Sequence, residues 1–358
     1  MSRSTRSTRS TRSARSITTG AIALVAAFML VVPQSAGADE TAERGSFEFA
    51  TPLFGLAIKR GDIFVADAGQ GVVHFDQRSG EPRSLVAPLP GVSDIAPYTA
   101  GAMHAVTGGP GSMLYRIIDG RVKPVADLGA FEAAVNPDGG EIDSNPFNVA
   151  ALPGRRALVA DAAANALLIV SRTGRIDWVA TLPDQMVPTA NAKRIADCPD
   201  AEPDLEFVCE LPDRIPAEAV ATSVAVGPDG AYYVGELKGF PAPKNRSRIW
   251  RIEPGTRHAR CGSSPACTVV GRGFTSIVDL SFARDGALHV VEFDEASWLA
   301  AEFGQGVGGT VSSCDLATSS CDVLAQLPLP TGVASTRRHV FATMLALVPG
   351  EADVVKIA

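Results

Sequence analysis

Several signatures of catalysis are missing from this chain of 358 residues. It has no Gly-x-Ser-x-Gly elbow, which removes the usual nucleophile of the α/β-hydrolases. It has no P-loop, and its one glycine-rich run, residues 304–309 (GQGVGG), sits in no strand-to-helix pattern and reads as a top loop. No Cys-x-x-Cys pair or close Cys/His cluster offers the ligand spacing of structural zinc. Aromatic residues amount to 6%, whereas 34 Gly and 25 Pro favour many turns over a few long helices. No apolar run approaches the roughly 20 residues that span a bilayer. Positive charge is scarce beyond the start of the chain: residues 1–38 hold five Arg and no acid, and the other 320 residues hold 27 basic and 39 acidic side chains, a net of −12. That balance excludes an ordinary nucleic-acid binder, which needs a basic surface.

The first 38 residues have the layout of a secretory signal peptide: a Ser-Thr-Arg repeat, an apolar stretch at 20–32 (GAIALVAAFMLVV), then Ala36-Gly37-Ala38 as a small-residue cleavage site. Cleavage after Ala38 predicts a secreted or extracytoplasmic protein without a transmembrane anchor. The six cysteines agree with that compartment. Cys198 and Cys209, Cys261 and Cys267, and Cys314 and Cys321 form local pairs separated by 10, 5 and 6 residues. An even count in an exported chain predicts disulfides, with the second and third pairs each stapling a hairpin. The first closes an acidic loop in an insertion at about residues 183–217.

Internal repetition is the strongest signal. A short apolar run, a turn and a second apolar run ending in a polar residue recur at residues 55–67, 94–107, 148–161, 223–236, 279–292 and 332–343. Glycine turns in most copies predict hairpins. A third and fourth run follow most of them, and four short strands per unit make a propeller blade. The reading is all-β: a six-bladed β-propeller filling residues 39–358 as one domain. Residues 46–49 (SFEF) are expected to supply the missing outer strand of the incomplete last blade and so close the ring.

That fold places two rings of side chains at one mouth of the central channel. Gly55, Asp94, Asn148, Ser223, Asp279 and Gly332 begin the first strands; Asp67, Thr107, Asp161, Glu236, Glu292 and Thr343 end the second. Oxygen atoms from successive blades are what a hard cation takes, so Asp94, Asn148, Ser223 and Asp279 are candidate calcium ligands. Side chains of these types also cap strand ends. Asp67, Asp161, Glu236 and Glu292 are candidates for an acidic funnel facing a small molecule or protein partner. His104 and His289 lie in strand patterns and are the general-base candidates.

The stretches DSNPF at 143–147, VGPDGAYYVGELKGFP at 226–241 and GFTSIVDLSFARDGALHVVE at 273–292 resemble, in order and wording, the ScyD/ScyE family of secreted bacterial proteins related to NHL-repeat propellers. The resemblance covers nearly all of the chain after residue 38 and implies a six-bladed propeller and export; it implies no reaction. A more distant likeness is to calcium-dependent six-bladed lactonases and arylesterases, whose ion is held by Asn, Asp and Glu. Asn148 and Asp279 stand in comparable places, Ser223 and Gly55 depart, and no catalytic His can be matched. Three functions remain open: a monomeric, non-catalytic binding or scaffold propeller, a calcium-dependent hydrolase, and a structural envelope protein.

Overall fold

The computed structural model describes residues 48–99 and 101–358. The predicted signal peptide therefore lies outside the described residues, and no helix among them is long and apolar enough to cross a membrane. The repeats fold as six sheets arranged as propeller blades. Four have four antiparallel strands in chain order, spanning residues 53–88, 92–127, 221–274 and 277–327; the third, residues 146–181, has four antiparallel strands and a fifth added at its outer edge, and the last, residues 333–356, has three. The predicted hairpins coincide with the first two strands of each blade, from Leu53–Lys59 and Asp62–Asp67 in the first to Val333–Ser335 and Val340–Met344 in the last.

Local chemistry explains the turns. Arg60-Gly61 and Asp119-Gly120 both have positive φ, as two-residue hairpin turns require. The inner strands lack clean alternation because both faces are covered. Ala166–Val170 is buried at every residue, and apolar clusters join blade to blade. Val106 and Leu114 pack with Val149 and Leu168. Leu158 and Leu167 pack with Val224 and Trp250, and Leu53 and Val65 with Phe341 and Val354.

Of the segment expected to close the ring, residues 46 and 47 lie outside the described residues. The last sheet has three strands among the described residues, and Glu48 and Phe49, the described part of the 46–49 segment, lie in no strand. Phe49 packs into the apolar cluster that joins the last blade to the first and stacks on Phe75 at 6.4 Å, and Gln70 Nε2 donates to the Glu48 carbonyl at 3.1 Å. The first strand itself makes the seam. Leu53 N donates to the Ala346 carbonyl, and Thr331 Oγ1 donates to the Leu53 carbonyl, both at 2.8 Å.

All three local disulfides form. Cys314 and Cys321 face each other in register across a blade-five hairpin, as expected. Cys261–Cys267 does something else. The short strand Ala259–Arg260 adds parallel to the outer edge of blade three, while Cys267 opens the outer strand of blade four, so this bridge spans two sheets. The insertion carries a small hairpin (Gln185–Pro188 with Arg214–Ala217) and the helix Ala190–Ile195. Its Ala192, Ile195, Val208 and Leu211 join one apolar cluster with Phe54, Phe147, Val278 and Val333 from the inner strands of four blades. The insertion is thus an apolar plug over the upper mouth of the channel.

Candidate functional site

Three of the four expected metal ligands converge, in a cavity of about 230 Å³ beneath the plug that is lined by Asp94, Asn148 and Asp279 and runs down to Val226 and Phe282. Each is committed to the neighbouring blade. Asp94 Oδ2 accepts from Val149 N, Asn148 Oδ1 from Val224 N, and Asp279 Oδ2 from Val333 N, all at 2.8 Å. In each case the donor is the residue after the ring position of the next blade, so the ring stitches blade to blade. Gly55 completes the pattern by absence: a Cβ there would overlap Oδ1 of Asp94.

This donor set does not fit a cation. Because Val224 N needs the Asn148 oxygen, the amide NH₂ is left to face Asp279 Oδ1 at 3.4 Å, a donor where a metal requires an acceptor. Ser223 does not line the cavity; its buried hydroxyl lies against Gly235 on its own blade. Burial, with repulsion from Asp279, pushes Asp94 well above the usual carboxylate range, and burial pushes Asp279 to about 7. Among the described residues no group of three or more His, Cys, Asp or Glu is placed to hold a metal ion.

The four funnel candidates end their strands as expected but face inward. Asp67, Asp161 and Glu236 are fully buried and Glu292 is nearly so. Most clamp the loop entering their own blade. Asp67 accepts from Ala50 N and Gly69 N, Asp161 from Asn145 N and Ser144 Oγ, and Glu292 from Thr275 N. Glu236 instead accepts from Arg248 and from Trp250 Nε1, and pairs with the buried Lys238 Nζ at 2.8 Å. His104 and His289 are buried within their blades and line none of the cavities described. Burial lowers the basicity of both.

A second concavity lies off the axis, on the upper face between blades one to four. It measures about 350 Å³ and mixes two kinds of wall. Pro52, Phe54, Ala68, Pro110 and Val220 make it apolar; Asp138, Glu141, Asp143 and Glu218 make it acidic, and among the described residues no Lys, Arg or His lines it. Burial, then repulsion from Asp184, Asp138, Glu141 and Asp143, raises Glu218 to about 7. Sequence reasoning missed this groove because Asp138 and Glu141 lie in a loop after the helix Leu128–Val135, and Glu218 in the insertion, outside the repeat. Asp143 was visible only as part of the DSNPF stretch that carries the family resemblance.

No protein-family model and no curated protein matches this sequence. Solved structures do resemble it. A protein of unknown function from Bacteroides thetaiotaomicron is 10% identical at a TM-score of 0.54, covering 87% of this chain and 71% of its own. The PQQ-bound aldose sugar dehydrogenase of Streptomyces coelicolor is 12% identical at 0.53, over 87% and 96%. The gluconolactonase XC5397 of Xanthomonas campestris is 10% identical at 0.52, over 86% and 87%. At such identities the likeness is one of fold, and it agrees with the six-bladed propeller.

Proposed function

We propose that this chain is an extracytoplasmic binding propeller of the ScyD/ScyE type, acting as a monomer, and that its upper-face groove takes an organic cation. The observation that carries this reading is the groove's lining: four carboxylates and, among the described residues, no basic group around an apolar floor. Three disulfides and the absence of a membrane-length helix among the described residues are compatible with that compartment. Uncompensated carboxylates repel one another, and a bound cation relieves that repulsion while the floor buries its carbon skeleton. The absence of a histidine from the groove, and the engagement of the ring carboxylates in blade stitching, favour binding over turnover.

Titration calorimetry at low salt tests the reading with butylamine and its uncharged counterpart butanol. Butylamine binds and butanol does not; Glu218→Gln weakens butylamine. Equal behaviour of the two probes, or indifference to Glu218→Gln, overturns the assignment. The alternative, a calcium-dependent hydrolase with its ion in the channel, has in its favour that Asp94 and Asp279 converge there and against it the Asn148 donor. A thermal melt that shifts with chelator in the wild type and not in Asp279→Asn would revive it.

A further inference from the structure

Glu132, in the helix Leu128–Val135, is 1% exposed, and neither of its carboxylate oxygens has a hydrogen-bond partner. Buried carboxylates are ordinarily paired or hydrogen-bonded, so this one calls for a missing partner. It lines a second chamber of about 340 Å³ with Asp127, Asp143 and Ser144. The two chambers share Gly109, Pro110, Asp143 and Ser144 and therefore adjoin, and among the described residues neither is lined by a basic side chain. Burial first, then repulsion from Asp161, Asp138 and Asp143, raises Glu132 to about 7. Its neighbour Asp161 is already satisfied by Ser144 Oγ and by Asn145 N, both at 2.7 Å.

A positive partner answers both the burial of this carboxyl and the repulsion from its acidic neighbours. A metal ion is disfavoured because no trio of acids among the described residues is placed to hold one, and because an ion has no use for apolar walls. An alkyl chain carrying separated ammonium groups uses both features. Resting on the organic-cation reading above, we propose that the two joined chambers hold one linear polyamine. One ammonium pairs with Glu132, a second with Asp138, Asp143 and Glu218, and the methylenes lie along Pro110, Ala68 and Phe54.

Spermidine and butylamine, each titrated calorimetrically into the wild type, Glu132→Gln and Glu218→Gln, test this. Spermidine should bind at least about tenfold more tightly than butylamine, as a second charge-assisted contact implies. Glu132→Gln should remove most of that advantage while leaving butylamine unchanged. Gln keeps the shape and removes a buried charge, and thermal melts confirm that the variant is folded. Equal affinities for the two amines, or spermidine binding indifferent to Glu132→Gln, overturns the polyamine while the groove survives if Glu218→Gln still weakens butylamine. Failure of both amines to bind overturns both proposals. Calcium binding abolished by Glu132→Gln, with no amine binding, replaces the ligand class and overturns this one.

Discussion

A side chain's type and spacing can be seen in a sequence; the group that occupies its lone pairs cannot. Asp94, Asn148 and Asp279 show the difference. Their positions follow from the repeat, and two carboxylates with an amide in a channel invite a metal. Yet in each case the residue following the next ring position offers a backbone N–H, and burial makes leaving that N–H unpaired costly. Asn148→Ala should therefore destabilise the fold by about 1–3 kcal/mol, the cost of an orphaned buried donor, and do so equally with and without calcium. Urea denaturation in both conditions measures this; a loss confined to the calcium arm would return Asn148 to metal binding. Glu132 is the opposite case: nothing in its sequence surroundings distinguishes it, and only its burial without a partner does.

Strands were the most legible elements, because each repeat carries its own turn chemistry and its own pair of apolar runs. Pieces outside the repeat were less legible. The strand Ala259–Arg260 has two residues and pairs with blade three, some eighty positions earlier, so no local pattern announces it. The insertion's loop was identified by its cysteines, but its role as a plug depends on Ile195 and Leu211 reaching Phe54 and Phe147. Replacing Cys198 and Cys209 together by Ser opens a loop with a sequence separation of 11. By loop-closure entropy that costs about 2–3 kcal/mol. Hydrogen exchange should show the loss in residues 183–217 while the blade strands stay protected. Uniform loss of protection would mean that the plug and the propeller unfold as one unit.

The molecule as a whole concentrates acid in its interior. Burial raises Asp94, Asp161, Asp279, Glu132, Glu218 and Glu292 above their ordinary range, several to about 7. A carboxyl raised on folding binds its proton more tightly in the native chain. The stability it lends is complete below its unfolded value near 4 and is lost as pH rises through the folded value near 7. The melting temperature should accordingly be higher at pH 5 than at pH 8, and Glu132→Gln should narrow the gap. A melting temperature that rises from pH 5 to pH 8 would mean that these groups are ionised and compensated.

The seam between the last blade and the first behaves as a clasp. Among the described residues it joins through backbone and threonine contacts and one apolar cluster, with no strand shared between the two blades. Pulled apart by its ends, such a ring should yield there first, releasing the three-stranded blade as one piece while its five larger siblings hold. Under load, the weakest joint of this wheel is the one its own chain had to tie last.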